Sequence, residues 1–290
     1  MNQLTVYPFV IDLGFVEVTG YGIMMMVGFL VGGWLIQKEL RRRGLREEYS
    51  ADIVVAAVIG GILGAKLWYV ALTQDMDSLL SRGGLVWYGG FLGGAVAVIL
   101  NGWRLGVPVR WTMHLAAPAL AAAYALGRVG CFLVNDDYGR PTSLPWGMKF
   151  PDGLPPSTAG NLQTLFGVEI PAGISPDTVL AVHPTQLYEA GIMLAAFFVL
   201  WSWRKSGRPV GWLFGVYLVW AGIERFLIEF VRAKDDRFLG AFTIAQLTSL
   251  VLVVIGVLLL MRWRSGPDLD PGAYLMPKPV AREKPVARAA

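Results

Sequence analysis

Seven stretches of mostly apolar residues recur along the chain, at 18–36, 52–73, 84–103, 113–134, 186–203, 210–232 and 241–261. Each approaches the roughly 20 residues that carry a helix across the hydrocarbon core of a bilayer. The polar segments between them are short, except for 135–185, which is rich in Pro and Gly. A connection of that length is expected to form a small irregular subdomain rather than an independent fold. Residues 265–290, with repeated Pro, Lys, Arg and Ala, read as a disordered tail. The pattern predicts an all-α polytopic integral membrane protein: seven transmembrane helices within 1–264, an outer-face insertion at 135–185, and a cytoplasmic tail at 265–290.

Composition agrees. Of 290 residues, 55% are hydrophobic and 16% charged, against about 25% charged in soluble domains. Charge then orients the spans. With the N-terminus outside, sixteen of the 25 Lys and Arg fall in inner loops and the tail, and five in outer loops. That bias predicts a periplasmic N-terminus and a cytoplasmic C-terminus in a bacterial inner membrane. Because the basic residues are spread over short loops, they form no nucleic-acid patch despite a pI of 9.2. One cysteine and two histidines are too few for a disulfide framework or a metal centre built on them. Residues 1–17 hold no Lys or Arg, so no secretory signal is expected there.

Ionisable residues inside the spans are the informative exceptions, since burying a charge in a bilayer is costly and marks function by default. At about 1.5 Å per residue, Arg128 lies about 9 Å, and Arg225 about 10 Å, below the outer ends of spans four and six. Lys66 has a similar depth in span two. Tyr21 and Tyr88 lie near the outer starts of spans one and three, and Glu189 in the first turn of span five. The outer half of the bilayer therefore collects the polar groups, which describes a polar cavity opening to the outer leaflet.

Arg225, Glu229 and Arg232 are spaced to share one helix face. For Glu229 and Arg232 the plain reading is a salt-bridge ladder. For Arg128 and Arg225 it is a phosphate clamp, because guanidinium suits bidentate phosphate binding and outer-leaflet phospholipid supplies phosphate at that depth. Glu224, Glu229, Glu189 and Asp136 are the anions available to neutralise them. His183 is either a general base at the outer mouth or a loop residue bonded to backbone. His114 reads as structural, Cys131 as a small packing residue, and the Gly60-Gly61 and Gly93-Gly94 pairs as helix-packing positions.

The motifs Gly127-Arg128-Val129-Gly130-Cys131-Phe132 and Asp136-Asp137-Tyr138-Gly139-Arg140 resemble the signature of the bacterial prolipoprotein diacylglyceryl transferase family. Supporting matches are Tyr21-Gly22, Gly83 through Gly90, His183 through Glu189, and Arg225 through Arg232, in the family's order over about 210 residues. The resemblance implies transfer of the diacylglyceryl group of phosphatidylglycerol to the lipobox cysteine of a preprolipoprotein, releasing glycerol-1-phosphate without metal or other cofactor. It implies Arg128 and Arg225 as phosphate ligands, with Tyr88 and His183 as the further catalytic candidates. Tyr21, Gly89, Gly90, Gly127, Asp136, Gly139, Glu189, Glu229 and Arg232 would bind substrate or shape the site. Phosphatidylglycerol, lipobox peptides and membrane lipids are the implied partners.

The chain departs from that pattern in its proton-handling half. Tyr88 stands where the family often has His, and a phenol of pKa about 10 is a poorer base near neutrality. Ala221 stands where a Tyr commonly precedes the second arginine. Cys131 replaces the signature's Asn, and Asp136 its Glu. Two other readings are a non-catalytic or substrate-shifted paralogue and a lipid transporter. A transporter would be expected to show pseudo-symmetric halves, and none is visible.

Overall fold

The computed structural model describes residues 3–14, 16–77, 86–233, 237–239, 242–265 and 269–277. They form two compact units, one of Met1–Ile36 with Arg110–Leu269, the other of Gln37–Val109 with Asp270–Ala290. The helices are α1 (Gly20–Arg42), α2 (Tyr49–Thr73), α3 (Trp87–Arg104), α4 (Val109–Leu133), the short α5 (Ala159–Thr164), α6 (Thr185–Trp203), α7 (Trp212–Ile228) and α8 (Ile244–Arg262). A long helix thus stands at each apolar run. Five of them, α1, α2, α4, α6 and α8, are long and apolar enough to cross a membrane, as expected of a multi-pass membrane protein. The other two long helices, α3 with 18 residues and α7 with 17, fall outside that set. Residues 84 and 85, expected to open span three, lie outside the described residues.

In the first unit, α7 packs on α8 through small residues. A Cβ on Gly222 would lie 2.8 Å from the Ser249 carbonyl oxygen, and one on Gly256 would lie 2.8 Å from the Gly215 carbonyl oxygen, so close helix approach requires glycine there. The opposite face of α7 meets α4 and α6 over Ala117, Ala121, Ala125, Met193 and Ala196, with Tyr217 and Ala221 packed against them. The α1–α4 contact is set by Gly130, where a Cβ would sit 3.2 Å from Tyr21 Cα and 3.1 Å from Met24 Cβ. His114 is 2% exposed and accepts the Gly211 N–H through Nδ1 at 3.1 Å, the structural role its position implied. The start of α8 is fixed by a capping box between Thr243 and Gln246.

The connection 135–185 is more ordered than its Pro and Gly content predicts. Strand β1 (Leu4–Thr5) pairs in parallel with β4 (Met148–Lys149), which pairs antiparallel with β5 (Ala181–Val182). Strand β2 (Val10–Asp12) pairs antiparallel with β3 (Glu17–Thr19), and β6 (Arg237–Leu239) with β7 (Phe242–Thr243). Beneath the three-stranded sheet lies a core of Tyr138, Phe150, Leu162, Val182 and Ala233, in which the Tyr138 and Phe150 rings stack 5.5 Å apart.

In the second unit, α2 and α3 press glycine on glycine. A Cβ on Gly64 would lie 2.8 Å from Gly93 Cα, and one on Gly93 would lie 2.7 Å from Gly64 Cα. Of the segment expected as a tail, Asp270–Met276 folds back as a strap. The Tyr274 hydroxyl donates to Asp52 Oδ2 at 2.5 Å, Arg46 N donates to the Leu275 carbonyl at 2.8 Å, and Leu275 is fully buried. The Arg46 guanidinium lies 4.3 Å from the Tyr274 ring centre, a cation–π contact. Residues 278–290 lie outside the described residues.

Candidate active site

On α4, Tyr124 and Arg128 are one turn apart, so both side chains leave the same face. After Leu133 the chain turns sharply through Asn135 and Asp137, at φ of +58° and +61°, a left-handed conformation that Asn and Asp tolerate best among residues bearing a Cβ. Several bonds hold this turn. Asn135 Nδ2 donates to the Val6 carbonyl at 2.9 Å, Gln186 Nε2 to the Asp136 carbonyl at 2.5 Å, and Thr185 Oγ1 to the Asp137 carbonyl at 2.7 Å. Gly139 sits in a gap that admits no side chain: a Cβ there would lie 2.5 Å from the Val231 carbonyl oxygen and 2.8 Å from His183 Cβ. Its N–H donates to the His183 carbonyl, and Arg140 Nε donates to the Arg232 carbonyl at 3.0 Å. The turn is thereby stitched to the entry of α6 and to the segment after α7.

That turn aims one carboxylate back over the end of α4. Asp137 accepts from Arg128 Nη1 at 2.9 Å and from Arg232 Nη2 at 2.6 Å. Glu189, fully buried on α6, lies 2.6 Å from Arg128 Nε and accepts the Tyr124 hydroxyl at 2.8 Å. The same hydroxyl is 3.3 Å from Arg128 Nη2. Arg232 reaches Glu189 at 3.8 Å and Glu229 at 3.9 Å, and Glu229 pairs with Arg225 at 2.8 Å. Arg225 and Arg128 are thus linked through carboxylates and Arg232 into one network within one unit. Burial pushes the Asp137 carboxyl up, but the Arg232 and Arg128 guanidiniums outweigh it and hold the group below the ordinary carboxylate range. Burial and the neighbouring Asp137 charge push Asp136 the other way.

The expected residues do not all come together. Arg128, Arg225, Glu189, Glu229 and Arg232 converge, with Gly139 shaping the turn beside them. Asp136 faces its own turn, where Oδ1 accepts the Asp137 N–H at 2.7 Å, and the arginines meet Asp137 instead. Tyr88, Gly89 and Gly90 belong to the second unit, where Tyr88 is 55% exposed and Gly89 packs against Gly64 and Trp68. Tyr21 lines the α1–α4 contact, and among the described residues nothing beyond its own stretch of helix lies within 4 Å of a Cβ built on Gly127. His183 keeps its ring half-buried, 3.3 Å from the Tyr188 hydroxyl, and burial lowers its pKa below the usual value.

One local expectation fails. Arg225, Glu229 and Arg232 do not all ride one helix, because α7 ends at Ile228 and Arg232 follows it, bridged to Gly139. The ion-pair ladder forms nonetheless, since the chain folds the last arginine back. Two participants are not legible in the sequence: Asp137 is hidden by its neighbour, and Tyr124 is signalled only by lying one turn before Arg128.

The guanidinium of Arg128 has five N–H groups, and three contacts engage it. Arg225 holds Glu229 through Nη2, while its Nη1 is buried with no hydrogen-bond partner among the described residues. Donors are therefore left over, at the arginines the motif singles out, for an anion. Beside Arg232 and Asp137 a cavity of about 100 Å³ opens, lined also by Asp136, Tyr138, Pro155 and Phe166. Among the described residues no cluster of His, Cys, Asp and Glu has the arrangement of a metal site.

Comparison with known proteins identifies the family. The sequence profile described as prolipoprotein diacylglyceryl transferase matches residues 8–262. A phosphatidylglycerol–prolipoprotein diacylglyceryl transferase of Clostridium tetani is 30% identical over 86% of this chain and 95% of its own length. The proteins of that name from Nitratidesulfovibrio vulgaris (strain DP4) and Cupriavidus metallidurans are 32% and 33% identical, over 90% and 89% of this chain and 95% and 94% of theirs. With the profile spanning all seven long helices and the arginine network within it, the chain belongs to the prolipoprotein diacylglyceryl transferase family.

Proposed function

We propose that this protein transfers the diacylglyceryl group of phosphatidylglycerol to the lipobox cysteine of a preprolipoprotein and releases glycerol-1-phosphate. The names of its relatives give the donor and the acceptor, and the paired arginines supply the chemistry. The sulfur attacks the glycerol carbon that carries the phosphate, an S–C bond forms, and the C–O bond breaks with its electrons leaving on phosphate. Arg128 and Arg225 bind that phosphate and oppose the charge that grows on it. Asp137, Glu189 and Glu229 hold the guanidiniums in place beforehand, so little reorganisation is needed at the moment of reaction. The observation that carries this reading is the buried Nη1 of Arg225, without a hydrogen-bond partner among the described residues, in a network shared with Arg128.

In this reading the chain crosses a bacterial inner membrane seven times, with its N-terminus periplasmic, its C-terminus cytoplasmic and 135–185 on the outer face. Tyr21, Gly127 and Gly139 border the lipid headgroup. His183 stands at the mouth. The test mixes purified protein, phosphatidylglycerol and a lipobox peptide, then measures glycerol-1-phosphate and the mass gain of the peptide cysteine. Wild-type protein should give both, and Arg128→Ala and Arg225→Ala almost none. Wild-type-like turnover in either variant would refute the clamp. Lipid binding without product would favour the non-catalytic paralogue, a reading supported by the carboxylates already paired with both arginines. Full activity of Tyr88→Phe would exclude its phenol as the base.

A further inference from the structure

The transfer reaction must dispose of the thiol proton, and the network holds one carboxyl that none of its arginines occupies. Glu224 is 2% exposed, and its Oε1 has no hydrogen-bond partner among the described residues. It also makes no ion pair within 4.0 Å there, while Arg128, Arg225 and Arg232 all pair with Asp137, Glu189 or Glu229. Three guanidiniums are thus matched by three carboxylates before Glu224 is counted. A buried polar group without a partner is costly, so its persistence calls for a use.

Position supplies one. Tyr217, Ala221 and Glu224 recur at i, i+4 and i+7 along α7, which puts them on one face. Tyr217 and Ala221 on that face pack against α4 and α6, whereas Gly215 and Gly222 face α8. Glu224 therefore points toward the helices that carry Tyr124, Arg128 and Glu189, and it lies within electrostatic reach of those three side chains, of Tyr217, and of Arg225 and Arg232. The α8 residues near α7 that are polar and buried, Gln246 and Ser249, carry no charge. Ala221, one turn before Glu224, leaves only a methyl group on that side.

We infer that Glu224 is the proton acceptor for the substrate thiol, a role that rests on the transfer reading above. The S–H proton passes first to a Glu224 oxygen, and the thiolate so formed then bonds to the glycerol carbon as the C–O bond to phosphate breaks. The departing phosphate then takes the proton from Glu224, which restores the carboxylate. Phosphate adds negative charge beside three guanidiniums that already face three carboxylates, and a proton on Glu224 offsets part of it.

The test compares wild type, Glu224→Gln and Glu224→Asp with phosphatidylglycerol and a lipobox peptide between pH 6 and 9.5. Three readouts are followed: thermal unfolding, transfer rate, and thiolate ultraviolet absorbance of the bound peptide. Glu224→Gln should unfold no lower than wild type and transfer about 100-fold more slowly at pH 7. Its rate should climb toward wild type as pH approaches the thiol pKa of about 8.5. Glu224→Asp should keep the wild-type shape of the pH profile. Bound thiolate should appear at pH 7 with wild type and not with Glu224→Gln. A Gln variant within threefold of wild type at pH 7, or one slowed equally at every pH, overturns the assignment. If the Gln variant does not fold, Glu224→Asp decides, and a profile that loses its neutral-pH activity overturns it. Wild-type protein that raises thiolate but releases no glycerol-1-phosphate would sink the transfer reading and leave the proton assignment standing.

Discussion

Replacing Asp137 by Asn tests whether the carboxylate after α4, and not its neighbour Asp136, organises the arginines. Asp137 accepts two charge-assisted hydrogen bonds, at 2.9 Å from Arg128 and 2.6 Å from Arg232. Each such bond is worth about 1.5–3 kcal/mol. Asparagine keeps one neutral acceptor and turns an amide donor toward the other guanidinium, so the undamped loss is about 2–4 kcal/mol. The Asp137 side chain is 33% exposed, and solvent screening reduces that to about 1–2 kcal/mol. Thermal unfolding in detergent should fall by about 2–8 °C. Glu189→Gln is the control: its carboxylate is fully buried, and breaking a buried pair costs about 3–5 kcal/mol. The pH dependence carries its own sign. A carboxyl held below its unfolded value stabilises the fold above about pH 4 and stops doing so as pH falls through its folded value. Wild-type protein should therefore lose this contribution on acidification below about pH 4, and Asp137→Asn should lack that part of the decline. An unchanged unfolding temperature in Asp137→Asn, or a smaller effect from Glu189→Gln, would refute the reasoning.

Arg225→Lys keeps a charge and removes the planar fork, so transfer should drop about 100-fold while unfolding temperature changes little; single-turnover assays with phosphatidylglycerol would measure it. Gly139→Ala should destabilise by about 1–3 kcal/mol, since a Cβ there meets the Val231 carbonyl and His183. Gly127→Ala should leave stability within about 0.5 kcal/mol, and paired melts of the two variants give the contrast. Burial lowers the pKa of His183, so the unfolded chain protonates first. Stability should be complete above about pH 6.5 and decline below it, and a pH series of melts should show that slope reduced in His183→Gln.

Apolar periodicity located every long helix, because each run is longer than any buried soluble strand. Cost located the site: an arginine well inside an apolar run at Arg128, and another at Arg225, need a reason to be there. The choice between Asp136 and Asp137 was not readable, because two adjacent carboxylates differ only in a backbone turn at φ of +61°. Strands of two residues, such as Met148–Lys149 and Ala181–Val182, carry no periodicity to read, so 135–185 looked irregular. The end of α7 at Ile228 lies inside an apolar run that continues to Val231, and hydropathy alone cannot mark it. The strap at Asp270–Met276 was masked by a composition that resembles a disordered tail, and only Tyr274 and Leu275 hint at burial.

The strap also has a consequence for the timing of assembly. Asp52 meets its hydroxyl partner 222 positions later along the chain, after α2 through α8 have all emerged from the ribosome. Until then the niche for Leu275 is empty and Arg46 has no aromatic ring to cover. Closing so distant a contact is slow compared with local helix formation. The second unit is therefore begun among the earliest helices to be synthesised and finished by the last described residues. A nascent chain halted before Tyr274 carries every arginine of the network while its first helical hairpin still waits for its clasp.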